Sequence, residues 1–510
     1  MSVLWPLPDT WLWTTMAEVT EVIGGGTPST NDPNNFDGSI PWITPADLSG
    51  YTRKTISVGA RFISEQGFKA SGARWLPQGS VLFSSRAPIG YVAIASRPVT
   101  TNQGFKSFVP ARGLDRNYLY YWLTSAKQHA EALTSGTTFQ EISGAKAALI
   151  PLPLAPMPEQ TRIVVKLEEL LSDLDAGIAE LKAAQKKLAK YRQSLLKAAV
   201  EGALTAEWRA KNKPTETGEQ VLQRTLVQRR ARWEAKQLAK FKEQGKMPPK
   251  DWQKQYPEPG QPDTSELPKL PAGWVWATLS QVGWLDRGRS KHRPRNAPYL
   301  YGGPYPFVQT GDIRDANTFI SSASSHYSEA GLAQSKLWPI NTLCITIAAN
   351  IGKTAILAME ACFPDSVVGF LPATDNVSVL FVEYFMRTAQ QMLEAKAPAT
   401  AQKNINLEIL QNVCLPLPPI SEQLWIVSTV AETLHQADEQ DVAIQHALRQ
   451  STAQRQNILR AAFAGQLVPQ DPNDEPASVL LERIRAERLG GASSRNNKHS
   501  AARTGRKPKC

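Results

Sequence analysis

Residues 152–160 read LPLAPMPEQ, and residues 415–423 read LPLPPISEQ. The same Pro-punctuated phrase occurs twice, 263 residues apart, each time just before a long helical pattern. The same shift lays LPDTWLWTTMAEV (7–19) over LPAGWVWATLSQV (270–282), SLLKAAVEGAL (194–204) over NILRAAFAGQL (457–467) and SGTTFQEIS (135–143) over PATAQKNIN (398–406). Small gaps bring IPWITPADL (40–48) onto YPFVQTGDI (305–313) and LPQGSVLFSSRAPIGYVAI (76–94) onto WPINTLCITIAANIGKTAI (338–356). EQVLQRTLVQRR (219–230) echoes SVLLERIRAER (478–488). A period this long marks a domain duplication rather than a solenoid.

Each copy has the same internal order. A mixed segment rich in Gly, Pro and aromatics comes first, with short β-type runs such as SVLFSS and TLCITIA. Helix patterns follow at NYLYYWLTSAKQHAEAL and EYFMRTAQQMLEAK, then the Pro-rich phrase, then a rod. Proline lacks a backbone donor and disfavours helix in the residue before it, so the phrase breaks the preceding pattern; Glu-Gln then opens a helix at its electropositive end. The phrase thus reads as a hinge between a globular module and a rod.

The rods carry heptads. Leu167, Leu174, Leu181, Leu188 and Leu195 recur every seven residues, with Leu171, Ile178, Gln185, Arg192 and Ala199 as the companion stripe. The shifted positions are Val430, Ala437, Ile444, Ser451 and Ile458 with Leu434, Asp441, Leu448, Arg455 and Ala462. Spacing of 4-3 is a coiled-coil seam. Polar residues break each stripe, so neither rod makes a good homodimer seam, and pairing of the two rods within one chain is the economical expectation. Each rod could instead pack on its own module. About 40 residues of helix span roughly 60 Å.

The expected architecture is α+β: two duplicated mixed α/β modules separated by two long helices, paired as an intramolecular antiparallel coiled coil with pseudo-two-fold symmetry. The expected boundaries are a first module at 1–150, a first spacer helix at 151–204, a basic helical and Pro-rich linker at 205–269, a second module at 270–413, a second spacer helix at 414–487 and a disordered basic tail at 488–510.

The formal charge of +11 suggests nucleic acid, but the modules themselves are balanced: 12 basic and 10 acidic residues at 1–150, 11 and 10 at 270–413. The excess sits in the linker, with 14 basic and 9 acidic, and in the tail, with 7 basic and none acidic. Any DNA reading therefore uses local patches, with a partner supplying much of the phosphate neutralisation. No apolar run is long enough to span a bilayer, and the N-terminus lacks the basic region of a signal peptide. Cys344, Cys362, Cys414 and Cys510 form no CxxC pair, which fits a reducing cytoplasm and argues against a zinc site.

Catalytic signatures are imitated rather than present. IGKT at 351–354 resembles the end of a phosphate-binding loop, but the required upstream glycine is Ile347. In the repeat, Gly352 falls on Gly90 and Lys353 on Tyr91, so IGKT reads as a strand-turn element. GGGTPS at 24–29 lacks dinucleotide spacing. No defensible metal, nucleophile or paired-carboxylate arrangement emerges, so no catalysis is expected in this chain.

The two modules, each followed by a Pro-rich Glu-Gln phrase and a long helix, resemble the specificity subunit of type I restriction–modification enzymes. LP-x-x-W-x-W opens each copy as in that family, and PLPP-x-x-EQ and the A-x-x-G-x-L helix ends are similar to its shared regions. The resemblance implies two target-recognition domains, each reading half of a bipartite double-stranded DNA target, with the helices setting the gap. It implies two methyltransferase subunits, which would carry S-adenosylmethionine and act at adenine N6, and two motor-nuclease subunits using ATP and Mg2+; no cofactor is expected in this chain. The spacer pairing would run through Leu167, Leu174, Leu181, Leu188, Leu195, Val430, Leu434, Ile444, Leu448 and Ile458.

Candidate DNA contacts are polar or basic loop residues at matched positions: Arg86 in the first module, Thr137, Thr138 and Gln140 aligned with Thr400 and Lys403, and Lys353. Arg287, Arg289 and Lys291, with Arg293 and Arg295, form a basic cluster that has no counterpart at 24–32. Phosphate contacts position and base contacts specify, and Arg does both. Each of these could equally be an ordinary solvated loop residue. The basic helix pattern at 221–244 could touch phosphate, a methyltransferase subunit or only solvent. An orphan subunit of a methylation-only system, a coiled-coil scaffold with two protein-binding modules, and an enzyme acting alone are the alternatives.

Overall fold

The computed structural model describes residues 4–86, 88–134, 141–348, 350–395 and 404–489. The chain forms two compact units, Met1–Lys182 with Gln445–Cys510, and Ala183–Ile444. The division falls within both long helices, Met157–Val200 and Ile420–Phe463, each of 44 residues.

In the first unit, β1 (Leu12–Thr15) leads to β2 (Thr20–Gly24), β3 (Phe36–Ile43), β4 (Thr55–Ile56), β5 (Arg61–Ile63), β6 (Val81–Ser85), β7 (Ile89–Ala95), β8 (Thr100–Thr101), β9 (Lys106–Pro110) and β10 (Pro151–Leu154). An open five-stranded sheet has the order β2-β9-β6-β7-β4, antiparallel except for the parallel β7–β4 edge. A smaller sheet has the order β5-β3-β8. The second unit repeats this. Its strands are β11 (Val275–Thr278), β12 (Gly283–Arg287), β13 (Tyr301–Phe307), β14 (Phe319–Ile320), β15 (Ser325–Tyr327), β16 (Leu343–Thr346), β17 (Thr354–Leu357), β18 (Val367–Pro372) and β19 (Cys414–Leu417). The sheet order β12-β18-β16-β17-β14 again ends in one parallel edge, β17–β14. The small sheet β13-β15 carries its register shift between Tyr301 and Tyr305, as β3 does between Phe36 and Ile40. The duplication therefore extends from sequence to strand order and bulge.

The Pro-rich phrase is more ordered than a hinge. β10 pairs antiparallel with β1, Trp13 opposite Pro153, and β19 pairs with β11, Trp276 opposite Pro416. Leu152, Leu154, Leu415 and Leu417 are fully buried, and Pro153 and Pro416 between them are buried as well, at positions of a two-stranded ribbon where a donor is dispensable.

The Glu-Gln pair then fastens each helix to its module. Trp11 Nε1 donates to Glu159 Oε2 at 2.9 Å, and Trp274 Nε1 donates to Glu422 Oε2 at 2.9 Å. Gln160 Oε1 accepts from the Asp115 amide at 2.9 Å, and its Nε2 donates to the Ala155 carbonyl at 2.9 Å. Gln423 repeats both bonds, with the Ser378 amide at 2.9 Å and the Pro418 carbonyl at 3.0 Å. All four side chains are buried to 1% exposure or less, so these bonds replace water for groups that have no other access to it.

The long helices pack against each other, antiparallel within each unit. In the first unit Leu167 and Leu171 share a core with Leu459, Ala462 and Phe463; Phe463 also meets the Tyr118 and Trp122 rings at 5.2 and 5.1 Å. In the second, Leu195, Leu196 and Ala199 share a core with Ile426 and Val430. Leu188 is buried, Leu174, Leu181, Leu434, Ile444, Leu448 and Ile458 are half-buried, and Val442, off the stripe, is 63% exposed. The helix ends also join the module cores, so rod pairing and rod-on-module packing coexist. The polar seam residues meet partners: Gln185 Nε2 donates to Asp441 Oδ1 at 3.0 Å, Arg192 Nη2 to Asp438 Oδ1 at 2.7 Å, and Arg455 pairs with Asp175.

The two clasps differ in charge. Arg209 Nη1 donates to Glu422 Oε1 at 2.8 Å, whereas Glu159 Oε1 accepts from the neutral Gln470 Nε2 at 2.6 Å. Burial pushes the Glu159 carboxyl above its ordinary value, against the bonds from Trp11 and Gln470. Glu422→Gln removes the only carboxylate that the half-buried Arg209 guanidinium pairs with among the described residues, leaving it its bonds to Thr205 and the Gly202 carbonyl, and should cost about 1–2 kcal/mol, while Glu159→Gln should be close to neutral. Because Glu159 binds its proton more tightly folded than unfolded, its ionisation penalty builds up as pH rises from the unfolded value through the folded one. The wild type should therefore gain stability relative to Glu159→Gln as pH falls from 7 towards about 4.5. Urea midpoints of the full chain at the two pH values check both; equal costs for the two substitutions would refute the difference between clasps.

Candidate nucleic-acid interface

At one end of each five-stranded sheet a bridge joins the sheet to the segment that follows the module's helices, with different side chains in the two copies. In the first module β6 runs on past Ser85, and the Ile142 amide donates to the Ser85 carbonyl at 3.0 Å. Arg86 and Glu141 face each other in the resulting bridge, with Nη1 to Oε2 at 3.8 Å. Lys106, at the start of β9, lies 3.9 Å from the other Glu141 oxygen. Half-burial, with Arg86 nearby, holds the Lys106 ammonium below its ordinary value, against the pull of Glu141.

The second module builds the same bridge from other chemistry. Ala348 faces Asn404, and the Ile405 amide donates to the Ile347 carbonyl at 3.0 Å. The β6–β7 and β16–β17 turns are also equivalent. Ser84 Oγ accepts from the Tyr91 amide at 2.8 Å, and Thr346 Oγ1 accepts from the Lys353 amide at 3.1 Å. Gly90 and Gly352 both take left-handed φ, +97° and +77°, which an L side chain adopts only with strain. IGKT is therefore a turn in which the Gly352 and Lys353 amides are spent internally, the Gly352 amide donating to the Thr346 carbonyl at 2.9 Å.

The basic cluster starts where edge strand β12 ends. Arg295 Nη2 donates to both Asp365 carboxylate oxygens, at 2.8 and 2.9 Å, and Arg293 lies 4.0 Å from the same carboxylate. Arg287 Nε donates to the Asp365 carbonyl at 3.1 Å. Arg289 and Lys291 are exposed and form no ion pair among the described residues. Asp365 thus spends part of the cluster on shaping the loop and leaves two cations facing solvent.

This arrangement, two copies of one scaffold with different loop chemistry, has known relatives. Residues 8–187 and 271–452 match the family described as type I restriction modification DNA specificity domain. The chain belongs to that family. It is 22% identical to the type I restriction enzyme EcoBI specificity subunit of Escherichia coli, over 96% of this chain and 94% of that one. It is 38% identical to the MjaIX specificity subunit of Methanocaldococcus jannaschii over 193 residues, 38% of this chain and 44% of that one. The fold is similar to a chain from a structure of a type I R-M system (TM-score 0.66, 19% identity, 91% of this chain and 100% of the other). It is also similar to the HsdS subunit of Thermoanaerobacter tengcongensis (TM-score 0.52, 19% identity, 91% and 98%).

In both specificity domains the bridge residues Glu141 and Asn404 immediately follow the candidate segments in sequence. Thr137, Thr138, Gln140, Thr400 and Lys403 lie outside the described residues; the segments that contain them lead directly into Glu141 and Asn404. Arg86 is brought to Glu141, whereas Lys353 is half-buried in its turn and forms no ion pair among the described residues. Sequence reasoning missed Lys106, Glu141 and Asp365. Glu141 follows Gln140 directly, but Lys106 and Asp365 reach the loops only through strand pairing, and no local signal marks them. Among the described residues no group of three or more His, Cys, Asp or Glu could hold a metal, and no helix is long and apolar enough to cross a membrane.

Asp365 offers a test of the cluster. Asp365→Asn removes one negative charge and releases Arg293 and Arg295, so affinity for duplex DNA should rise several-fold at low salt. Arg289→Gln with Lys291→Gln should lower it and reduce the slope of log K against log salt by about 2. Fluorescence anisotropy of the full chain across a salt series checks both, and DNA affinity unmoved by either change would remove this loop from the interface.

Proposed function

We propose that this chain is a non-catalytic DNA sequence-specificity subunit, in which each module reads one half of a bipartite double-stranded target. The observation that carries the reading is that one strand order, with its turns and bridges, is built twice, while matched loop positions differ. Arg86 faces Glu141 where Ala348 faces Asn404, and the arginine cluster has no counterpart in the first module. Like frameworks with unlike loops suit an asymmetric target whose half-sites lie a fixed distance apart, because loops on a rigid scaffold are where recognition varies. The paired helices would set that gap and give the chain its pseudo-two-fold symmetry. Two N6-adenine methyltransferase subunits and two motor-nuclease subunits would dock on this framework in the cytoplasm and bring S-adenosylmethionine, ATP and Mg2+. In a methylation-only system the nuclease subunits would be missing.

Methylome sequencing of cells with and without the gene tests this. A bipartite N6-methyladenine motif should vanish on deletion. Replacing residues 20–150 by the matching segment of a relative should change one half of the motif and leave the other half and the gap intact. Both halves changing together would overturn the assignment of one module to one half-site.

A further inference from the structure

The linker helix Gly218–Glu243 has two parts with different roles. Up to Arg229 it is bound to the second module. Val221 and Leu222 join that module's core, and Gly218 sits so close to the chain that a Cβ there would lie 2.2 Å from the Leu417 carbonyl oxygen. Arg229 is 4% exposed, with its guanidinium 3.8 Å from the Trp284 ring centre. Arg232, at the root of the part that follows, still donates to the Ala373 carbonyl at 2.6 Å and anchors it to the module. This part has a counterpart in the helix at 477–489, where Leu480, Leu481 and Ile484 join the first module's core.

The part from residue 230 to 254 is different. Trp252 stacks on Trp233 at 5.8 Å and meets Phe241 edge-on at 6.1 Å, and Tyr256 meets Trp233 at 5.4 Å. The returning chain is thereby pinned to the helix, and the aromatic contacts hold the backbone in place without covering its outer faces. Residues 230–254 include eight basic and three acidic residues. Glu234 pairs with Arg230 and Asp251 with Lys254. Lys236, Lys240, Lys242, Lys246 and Lys250 are exposed and form no ion pair among the described residues. Holding five like charges on an ordered element opposes folding through self-repulsion, and an anionic partner relieves it. Lys236 and Lys240, four residues apart, stand about 6 Å apart along the axis.

We propose that residues 230–254 form a rigid cationic arm of the second module that grips the sugar–phosphate backbone of duplex DNA flanking the recognition sequence. The proposal rests on the DNA-reading function above. The arm adds affinity and salt dependence without choosing the sequence, since phosphate contacts carry no base information. Lysine point charges suit this role, which needs charge and no fixed donor geometry.

The test uses the full-length chain co-expressed with its partner subunits. A labelled duplex carrying the methylated motif and long flanks, and a scrambled duplex of equal length, are titrated from 50 to 400 mM salt. Lys236→Gln with Lys240→Gln should lower the slope of log K against log salt by about 2 on both duplexes, and neutralising all five lysines should lower it by about 4 to 5. The preference for the motif should stay unchanged. Five Lys→Arg changes should restore the slope, which separates loss of charge from misfolding. On a duplex trimmed to the motif, wild type and variants should converge. An unchanged slope overturns the proposal, as does a loss of subunit assembly with the slope intact, which would place a protein surface on the arm. A difference that persists on the trimmed duplex overturns the flanking placement. Failure of the DNA-reading function itself would appear separately, as a wild type with no preference between the two duplexes.

Discussion

At the head of each long helix a buried carboxylate accepts a hydrogen bond from an indole that lies 148 residues earlier in the chain. Each module closes around this bond. The indole belongs to the LP-x-x-W turn that leads into the first strand, in which the Trp11 and Trp274 amides donate back to the Pro8 and Pro271 carbonyls at 2.9 and 3.1 Å. The carboxylate belongs to the helix that leaves the last strand. One bond therefore joins the beginning of the module to its exit, and the neighbouring glutamine ties the same helix turn to the loop before the module's own helices. The helix departs in one direction because its first turn has hydrogen-bonding partners on both sides, and a buried acceptor without them costs more than the bond returns.

The polar residues of the helix seam follow from the same rule. A long apolar seam is promiscuous in register, because leucine rows slide past one another at little cost. Gln185 with Asp441, Arg192 with Asp438 and Arg455 with Asp175 each match only in one alignment, and a shift would leave charges half-buried and unpaired. Ser451 is the exception: it satisfies itself on its own helix, with Oγ donating to the Ala447 carbonyl at 2.8 Å. The stripe is thus selective for a partner that carries the complementary polar residues, and this chain carries them itself.

At the loop ends the scaffold is constant and the chemistry varies. The bridge that joins the β6–β7 turn to the segment after 140 has the same backbone bonds in both modules, and its side chains change from a charge pair to a neutral pair. A backbone frame that does not depend on its side chains can exchange them freely. Asp365 gives the second module a further refinement, because it trades three of the arginines' freedom for a fixed loop shape and leaves Arg289 and Lys291 outward.

The duplication and the heptad stripes were legible from one sequence because each is a matter of period, 263 residues for the repeat and seven for the seam, and the α+β class followed from short β-type runs set between helix patterns. Periodicity survives without knowledge of what faces what. The clasp was half-legible. Both LP-x-x-W and Glu-Gln stood out as repeated phrases, but nothing in their spacing said that they touch, and the L-P-L-P strand between them looked like a break because prolines signal interruption. The split of the linker helix into a bound half and an outward arm was invisible, since Arg229 and Lys236 are both cations in one basic run and only packing against Trp284 separates them. The same holds for Asp365 and Lys106, which enter the loop chemistry by strand pairing across long stretches of chain. Sequence by itself determined the elements and their repetition, because local period and backbone chemistry are written in neighbouring residues. Tertiary structure decided which charges are spent on the fold and which face solvent, because burial and ion pairing depend on residues that only folding brings together.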